Sequence, residues 1–372
     1  MHSHCEFDVG VIGTGVAGLA AARAFADRGL SVVLLERHRK FGQETSSRNS
    51  EVIHSGIYYP AQSLKTRWCI QGREMLYEFC QRHGVPFRKT GKYVVATSAE
   101  EQAYLEKLFT HAGEVGVPAE KQTGAQVQSA EPWVKAHSAV FFPESGIIDS
   151  HQFMERLLQL AEHAGAVTAY GHAVTHAEKV NGGQDGWTLT CELATERLML
   201  RVARVFNAGG LDAAALSNQA LGTSRYEHKF CRGRYMTAAA EAARAFQTLV
   251  YPVPPKDGLG IHVTVDMNGV CRFGPDVDWW PDATQTAGLY DCDWENLAPQ
   301  FLQAIQRYSP AIQSRHLSGG FIGVRPKLFV DGKAHPDFLI ESSDGWLHLL
   351  GYESPGITAS LAAAQAVTEL LD

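Results

Sequence analysis

The sequence predicts an α/β fold in which a Rossmann-like parallel sheet is combined with an inserted antiparallel sheet. Two observations lead to this prediction. The stretch from Phe7 to Glu36 reads as a buried strand, a glycine turn, a helix and a second buried strand. From Tyr226 to about Pro310, alternating and aromatic-rich segments are separated by turn residues, which is typical of an antiparallel sheet inserted between parts of the first domain.

The glycine turn GTGVAG matches a dinucleotide-binding fingerprint. Gly13 permits the tight turn, Gly15 lets the backbone approach a pyrophosphate, and Gly18 lets the helix pack closely on the sheet. Val16 and Ala17 open the helix, whose N–H groups and positive dipole end are expected to bind phosphate. An ordinary Gly-rich βαβ turn is the alternative interpretation.

Glu36 favours the nucleotide interpretation, because an acid about 20 residues after the turn can accept hydrogen bonds from a ribose diol. An acid at this position also argues against a ribose 2′-phosphate. Only one such fingerprint occurs in the chain. We therefore expect one tightly held FAD and no dedicated NAD(P) domain.

Composition restricts the class of protein. At 372 residues the chain exceeds the size of one hydrophobic core, so two lobes are expected. With 45% hydrophobic and 20% charged residues it has the composition of a soluble globular protein. The net charge of −7 argues against a nucleic-acid partner.

Targeting and metal signals are weak. No basic and apolar leader follows Met1, and no apolar run approaches the 18 or so residues of a transmembrane helix. The seven cysteines are scattered without CxxC spacing, so we expect neither a disulfide framework nor a zinc site, and no other metal. The predicted location is the cytoplasm, and peripheral contact with the inner face of a membrane stays open.

The polar segment FGQETSSRNS, residues 41–50, follows the ribose-binding acid directly. Its hydroxyls can bind the pyrophosphate and ribityl chain, with Arg48 supplying positive charge. An N-capped surface helix, served by Thr45 and Ser46, is the alternative. In the next apolar strand His54 is either a proton acceptor at a flavin or a hydrogen-bonded core histidine.

Two further regions carry candidate residues. In the antiparallel region Arg232 and Arg234 lie on one strand, with Tyr235 and His262 nearby, so they are either a clamp for a substrate carboxylate or part of a solvated edge strand. Near the carboxyl end, a strand leads into a helix with Ser354 as predicted N-cap and Pro355 as first residue. Its N–H groups would face the flavin pyrimidine carbonyl.

The remaining chain is mostly scaffold. The strand and small-residue turn around Asn207-Ala208-Gly209-Gly210 predict a return to the nucleotide domain beside the fingerprint. Ser150 is the predicted cap of a helix. The other predicted helices are 66–83 and 99–114, the predicted strands include 92–97, 166–170, 174–180 and 187–193, and a hairpin turn is predicted at 181–186.

With these motifs the chain resembles the D-amino-acid-oxidase-type FAD-dependent oxidoreductases. Within that family it is similar to the L-2-hydroxyglutarate dehydrogenase or oxidase branch, and the similarity covers almost the entire chain. The selective motifs are NSEVIHSGIYY (49–59), SLK (63–65), YPVP (251–254), GIH (260–262), FGPD (273–276) and SPG (354–356), beside GVRP (323–326) of the wider family.

The resemblance implies a glutathione-reductase-type FAD-binding domain made of residues 1–86, 141–222 and 318–372. The substrate domain would be 87–140 and 223–317. FAD would be the cofactor. The residues expected to bind it are Gly13, Gly15, Val16, Ala17, Gly18, Glu36, Arg37, Thr45, Ser46, Arg48, Asn49, Ser50, Ala173, Val174, Ala208, Gly209, Leu211, Gly323, Arg325, Pro355, Gly356, Ile357 and Thr358.

The expected reaction is oxidation of a small L-2-hydroxy acid, such as L-2-hydroxyglutarate or a related dicarboxylate, by hydride transfer to flavin N5. Arg325 would bind the C1 carboxylate, and His54 or His262, which the sequence does not rank, would accept the hydroxyl proton. Tyr58, Arg232 and Tyr235 would hold the substrate.

The chain also departs from the branch pattern, because a second positive charge, Arg234, follows Arg232-Gly233. If it faces the pocket, it would alter recognition of the distal end of the substrate. An amino-acid or amine oxidase on the same fold and a non-catalytic flavin-binding module are the alternative functions. The electron acceptor stays open between oxygen, a quinone and a carrier protein.

Overall fold

A computed structural model of the chain describes residues 5–180, 186–254 and 260–371. Its strands form three sheets. The strands are β1 (Phe7–Ile12), β2 (Val32–Glu36), β3 (Val52–Ile53), β4 (Phe87–Arg88), β5 (Lys92–Ala96), β6 (Glu120–Thr123), β7 (Ser138–Phe142), β8 (Gly146–Ile148), β9 (Val167–Tyr170), β10 (Ala173–Lys179), β11 (Trp187–Glu192), β12 (Arg197–Asn207), β13 (Tyr226–Ala238), β14 (Leu249–Pro252), β15 (His262–Val265), β16 (Cys271–Gly274), β17 (Asp278–Trp279), β18 (Leu317–Val330), β19 (Lys333–Ala334), β20 (Leu339–Ser343) and β21 (Trp346–Leu350).

The helices pack against these sheets. They are α1 (Val16–Asp27), α2 (Leu64–His83), α3 (Gln102–Glu114), α4 (Gly124–Ala130), α5 (Ser150–His163), α6 (Ala213–Leu221), α7 (Ala240–Ala243), α8 (Trp294–Gln306) and α9 (Gly356–Glu369). Short 3₁₀ turns occupy Thr45–Ser47, Ala99–Glu101, Gly210–Asp212 and Ser314–His316.

The first sheet contains the fingerprint. Its strand order is β10-β11-β12-β1-β2-β9, with β21 beside the end of β12 and β20 beside β21. In this sheet β1 runs parallel to both β2 and β12, so that Ile12 pairs with Leu35 and with Asn207. The predicted return of the chain beside the fingerprint is therefore confirmed. Apolar residues make β1 and β2 buried strands, as expected for a parallel sheet covered by helices.

Gly13 and Gly18 bring α1 close to the sheet. Gly13 has a φ of +93°, and a Cβ on it would lie 2.7 Å from the Ala208 carbonyl oxygen. A Cβ on Gly18 would lie 1.9 Å from the carbonyl oxygen of Gly13. The turn therefore requires glycine at both positions, for the two reasons that the sequence indicated.

The second sheet is the predicted antiparallel layer. Its order is β19-β18-β13-β16-β15-β14-β5-β7-β6, and β17 pairs with β13. All neighbours are antiparallel except β14 and β5, which are parallel. The sheet includes β18, which the sequence analysis placed in the nucleotide-binding domain for most of its length. The domain bounds stay a prediction.

A small third sheet connects the two layers. It has the order β3-β8-β4, and β3 leads into the loop that carries His54. The start of α9 is fixed on this strand, because Thr358 Oγ1 accepts a hydrogen bond from His54 N and lies 3.3 Å from the Val52 carbonyl oxygen. A Cβ on Gly72 of α2 would lie 2.3 Å from the Thr358 carbonyl oxygen, so α2 and α9 pack closely.

Two predicted helix caps are wrong. Asp149 caps α5 by accepting a hydrogen bond from Gln152 N, whereas the Ser150 hydroxyl donates to Glu51. The last helix begins at Gly356, because Pro355 has a ψ of 46° and precedes the first helical residue. The Ser354 hydroxyl lies 3.4 Å from His54 Nε2 instead.

One predicted element falls mostly on residues that the structure does not describe. The hairpin turn predicted at 181–186 lies outside the described residues except for its last position. Within the described ranges, no helix is long and apolar enough to cross a membrane. The same residues contain no group of three or more His, Cys, Asp and Glu side chains that could hold a metal ion.

The closeness of α1 to its turn leads to a stability prediction. Gly18→Ala should lower the melting temperature by about 5 °C, since the methyl group collides with a backbone oxygen that cannot rotate away. Gly113→Ala is the matched control, because Gly113 also lies in a helix but no described atom comes within 4 Å of its Cβ position. The control should raise the melting temperature by about 1–2 °C.

Thermal unfolding followed by circular dichroism checks both variants. Equal melting temperatures for Gly18→Ala and the unmodified protein would show that the turn can relax around a side chain.

Candidate functional site

A cavity of about 1200 Å³ lies between the first sheet and the antiparallel sheet. It is larger than the roughly 300–1,000 Å³ of most small-molecule pockets. All the predicted cofactor residues except Gly18 and Leu211 line it, and so do His54, Tyr58, Tyr235 and His262. Gly18 lies below the turn, and Leu211 packs in a separate apolar cluster with Phe230.

At one end of the cavity the amino terminus of α1 is open to an anion. Its N-cap, Gly15, has no side chain, and no acid occurs in the first turn. Ser46 replaces the missing cap, because its Oγ accepts a hydrogen bond from Val16 N at 3.0 Å. A Cβ on Gly15 would lie 3.0 Å from the same oxygen. This crowding explains the glycine, and the Ser46 hydroxyl can still donate its own proton to a phosphate.

Glu36 lies beside this turn with both carboxylate oxygens oriented. Oε2 accepts hydrogen bonds from Thr14 N at 2.9 Å and from the Thr14 hydroxyl at 2.6 Å, and Oε1 accepts one from His38 N at 2.9 Å. Each oxygen has further acceptor capacity. The carboxylate lines the cavity and can therefore accept hydrogen bonds from a ribose diol there.

Arg48 adds positive charge to the wall between the two ends. Its guanidinium lies 4.3 Å from the centre of the Tyr290 ring, and it forms no salt bridge with any described residue. Its Nε is buried and has no hydrogen-bond partner in the described part of the chain. The segment is held by β18, because a Cβ on Gly323 would lie 2.4 Å from the Arg48 carbonyl oxygen. An unpaired arginine in this position suits a pyrophosphate.

The start of α9 supplies a second open helix end. Gly356, Ile357 and Thr358 line the cavity, and the first turn contains no acidic residue. The first-turn amides of a helix lack intrahelical acceptors, so they favour negative charge in front of them. Two helix ends, an acid with further acceptor capacity and an unpaired arginine in the wall of one cavity fit the groups of FAD.

Arg325 projects into the other end of the cavity. Its Nη2 donates hydrogen bonds to two backbone carbonyl oxygens, those of Arg232 at 3.1 Å and Asp276 at 2.9 Å. No acidic side chain pairs with it among the described residues. A Cβ on Gly233 would lie 3.2 Å from Nη2, so this glycine lets the guanidinium cross β13. The sequence analysis missed the role of Gly233, which depends on the pairing of β13 with β18.

Arg232 and Arg234 do not reach the cavity in the described structure. Arg232 Nε lies 2.7 Å from Asp278 Oδ2. Arg234 Nε lies 2.6 Å from Oδ2 of Asp276, a fully buried acid whose Oδ1 also accepts from Arg234 N. Acids from the segment after β16 thus neutralise both arginines. The structure therefore does not bring the predicted two-arginine clamp together, and Arg234 does not add charge to the pocket.

His54 and His262 do lie in the cavity wall beside Arg325. His54 Nε2 lies 3.4 Å from Ser354 Oγ, and the His262 ring stacks on Tyr251 with ring centres 3.6 Å apart. Burial lowers the pKa of each histidine to about 3, and the positive charge of Lys92 adds to the effect. Arg325 lowers the pKa of His262 further. Both imidazoles are therefore neutral, as a proton acceptor must be.

Tyrosines complete this end: Tyr58 and Tyr235 were predicted there, whereas Tyr59 and Tyr251 were missed by sequence reasoning. Tyr58 stacks over Tyr251 at 6.5 Å, with an angle of 9° between the rings, and Tyr235 stacks on Phe321. Tyr59 also lines the cavity. The pair Tyr58-Tyr59 and the YPVP motif were the signals available, because both belong to the branch-specific motifs.

A lysine pair on one acid was also missed. Lys65 Nζ lies 2.9 Å and Lys327 Nζ 2.6 Å from the same oxygen of Glu353, and all three residues line the cavity. Two cations share one carboxylate, so the cluster has a net positive charge. Lys327 could have been found from its spacing, because residues two apart on a strand share a face and Arg325 points into the cavity.

Comparison with known proteins agrees with this geometry. The family described as "FAD dependent oxidoreductase" matches residues 8–370. The mitochondrial L-2-hydroxyglutarate dehydrogenase of Arabidopsis thaliana is 35% identical over 97% of this chain and 82% of its own length. The enzyme of that name from Indibacter alkaliphilus is 29% identical over 98% of both chains.

Solved structures share the fold. A dithionite-reduced L-α-glycerophosphate oxidase from Mycoplasma pneumoniae with FAD bound superimposes with a TM-score of 0.88 at 23% identity, over 98% of this chain and 94% of that one. The glycine oxidase of Geobacillus kaustophilus gives a TM-score of 0.78 at 20% identity, with the same coverage. The predicted fold class is thereby confirmed.

The cap on α1 leads to a prediction about cofactor retention. Ser46→Ala should weaken FAD binding by about fivefold, because the Val16 amide loses its acceptor and a phosphate loses a donor. Ser47→Ala is the matched control, since the Ser47 hydroxyl is exposed and donates only within its own turn, to the Glu44 carbonyl oxygen.

Titration of FAD into the flavin-stripped protein, followed by quenching of flavin fluorescence, gives both dissociation constants. Equal weakening in the two variants would assign the effect to the turn as a whole rather than to the Ser46 hydroxyl.

Proposed function

Because the chain belongs to the FAD-dependent oxidoreductase family, we propose that it oxidises a small L-2-hydroxy dicarboxylic acid, of the L-2-hydroxyglutarate type, to the 2-oxo acid. The protein is an enzyme that acts on a CH–OH donor, and FAD is its cofactor. The observation that carries the proposal is the placement of an unpaired arginine and two neutral histidines at the same end of one cavity.

Arg325 is the proposed anchor for the C1 carboxylate. Its Nη2 is occupied by two carbonyl oxygens, which hold the guanidinium plane in one orientation. Nη1 has no acceptor among the described residues and is available to the substrate. A fixed, unneutralised guanidinium binds a carboxylate strongly and orients the adjacent carbon.

A histidine is the proposed acceptor of the hydroxyl proton. The proton passes from the substrate oxygen to Nε2 of His54 or to a ring nitrogen of His262 while hydride leaves the adjacent carbon, so that the C–O bond becomes a carbonyl. When bound, FAD supplies the hydride acceptor at flavin N5. The carboxylates of a bound substrate favour the protonated imidazole, which raises the basicity of a histidine in the complex.

A dicarboxylate is the proposed substrate class for two reasons. The curated relatives carry the name L-2-hydroxyglutarate dehydrogenase, and one of them is 35% identical to this chain. The cavity wall also has a positive charge beyond Arg325, because Lys65 and Lys327 share only Glu353. Arg234, whose charge would have argued for a different distal group, is neutralised by Asp276.

We also propose that the protein works in a reducing compartment such as the cytoplasm. Five of the cysteines are buried, namely Cys69, Cys80, Cys191, Cys231 and Cys271. Their burial, and the lack of paired spacing in the sequence, suit thiols that stay reduced.

The proposed reaction predicts selective reduction of the flavin. Under anaerobic conditions L-2-hydroxyglutarate should bleach the flavin absorbance of the purified protein, whereas the D-enantiomer and a panel of amino acids should not. Stereoselectivity is expected because Arg325 would fix one carboxylate while a histidine in the same cavity wall accepts the hydroxyl proton.

Two results would contradict this prediction. Bleaching by amines alone, with undiminished turnover in both His54→Ala and His262→Ala, would favour an amine-oxidising enzyme, which needs no histidine base. Failure of every hydroxy acid and amine would favour a flavin-binding protein without substrate oxidation.

The proposed anchor can be tested with two neighbouring arginines. Arg325→Lys should raise KM for L-2-hydroxyglutarate by about 10–100-fold with a smaller change in kcat, because lysine cannot keep both the carbonyl contacts and a paired contact with the carboxylate. Arg232→Lys is the control, since Arg232 is paired with Asp278 outside the cavity.

Steady-state kinetics on the two FAD-loaded variants give KM and kcat for L-2-hydroxyglutarate. An unchanged KM in Arg325→Lys, or an equal rise in Arg232→Lys, would remove Arg325 from the binding role.

A further inference from the structure

A buried lysine lies directly behind the substrate end of the cavity. Lys92 belongs to β5, and its side chain is 0% exposed. Its Nζ has no hydrogen-bond partner, and no carboxylate pairs with it, in the part of the chain that the structure describes. Lysine is almost never fully buried without a partner, so this ammonium needs a physical explanation.

Aromatic rings surround the ammonium. Nζ lies 4.5 Å from the ring centre of Tyr58, 5.0 Å from that of Tyr251 and 5.6 Å from that of Phe142. Cation–π contacts of this kind offset only part of the cost of burying a charge. Tyr58 and Tyr251 line the cavity, whereas Lys92 does not. Two of the three rings around the ammonium therefore also form part of the cavity wall.

This environment weakens the charged form of Lys92 when no anion is present. Burial lowers its pKa to about 7, although the nearby Cys69 thiol acts in the opposite direction. A negative charge in the cavity would act on the ammonium through a layer of low dielectric constant, where Coulomb interactions are strong. An anionic ligand therefore stabilises protonated Lys92, and by linkage protonated Lys92 favours the anionic ligand.

We infer that Lys92 is a charge-dependent specificity residue, and that binding of a dicarboxylate in the cavity is accompanied by uptake of one proton from solvent at Lys92 Nζ. The inference rests on the proposed function for its substrate class. The change is an acid–base step only: the neutral amine gains a proton and becomes an ammonium, and no other bond forms or breaks. Lys92 contacts neither substrate nor flavin and acts through the Tyr58 and Tyr251 rings.

In the protein without ligand, the other titratable groups around Lys92 do not change charge near neutral pH. Burial raises the pKa of the Cys69 thiol of α2 to about 12. His54 and His262 have pKa values lowered to about 3, mainly by burial. Burial also raises the pKa of the Tyr251 phenol well above its usual value. Arg325, which faces the same end of the cavity, is always charged.

The test measures binding of glutarate, a dicarboxylate that lacks the hydroxyl and cannot be oxidised in this way. The FAD-loaded protein is titrated at pH 6.5 and pH 8.5, and binding is followed by the change in the flavin spectrum. The dissociation constant of the unmodified protein should rise by about tenfold between these pH values, because the amine must be protonated to bind well. Butyrate, with one carboxylate, should show a smaller rise.

Proton uptake is measured independently by titration calorimetry. Heats of glutarate binding at pH 7.5 in two buffers of different ionisation enthalpy give the number of protons taken up. The expected number is a large fraction of one for the unmodified protein and close to zero for Lys92→Met.

Three variants make the assignment specific. Lys92→Met should bind glutarate more weakly at pH 6.5 and with no dependence on pH. Lys92→Arg should bind without pH dependence and as tightly as the unmodified protein at pH 6.5, because arginine stays charged. Lys89→Met is the matched control, since Lys89 is three residues away, is exposed and pairs with Glu144. It should behave like the unmodified protein.

If Lys92 had only a structural role, its replacement would lower the melting temperature. The inference predicts the opposite. Without ligand, Lys92→Met should melt at the same temperature as the unmodified protein or higher, since it removes an unpaired buried charge. A pH-dependent dissociation constant that persists in Lys92→Met would overturn the inference, and so would a lowered melting temperature with unchanged proton uptake.

The two proposals fail separately. Bleaching by L-2-hydroxyglutarate with a Lys92-independent binding profile would retain the reaction and discard the inference. Glutarate binding that depends on Lys92, without bleaching by any hydroxy acid, would retain the inference and discard the proposed oxidation.

Discussion

The close approach of α1 to its turn is the constraint on which the cavity depends. The Gly13 carbonyl occupies the space of a side chain on Gly18, and the Ala208 carbonyl occupies that of a side chain on Gly13. These contacts set the distance between the helix end, β1 and β12. Ser46 then reaches Val16, and Glu36 reaches Thr14. Groups from three parts of the chain, namely the glycine turn, Glu36 and Ser46, are thereby brought together in the cavity wall.

The substrate end depends on a different feature: among the described residues, Arg325 has no acidic partner that would compete with an anionic substrate. Acids near Arg232 and Arg234 neutralise those arginines, whereas Arg325 is held by backbone carbonyl oxygens, which orient a guanidinium without cancelling its charge. The same preference for uncharged neighbours applies to Lys92, which is surrounded by rings. Positive charge is therefore concentrated where an anionic substrate is proposed to bind.

Local patterns predicted much of this site. The fingerprint, Glu36 and the turn at Ala208 follow from short-range rules about glycine, helix ends and parallel strands. The pairing of Arg234 with Asp276 could not be predicted, because it depends on how β13 and the segment after β16 meet across 42 residues. Lys92 was missed because a lone lysine at the start of a strand usually indicates a solvated edge. The cap of α9 was misplaced because Ser354 faces His54 rather than the helix.

The hydrogen bond from the His54 amide to the Thr358 hydroxyl has a consequence for the order in which the cavity is assembled during synthesis. The two residues are separated by 304 positions, and the Thr358 hydroxyl holds the backbone of the histidine. The fingerprint is translated before β12, the strand that pairs with β1, and the helix that orients the histidine is translated after both. A nascent chain therefore has the glycine turn long before α9 can contribute to the cavity wall, so the complete cavity forms only after α9 has been synthesised.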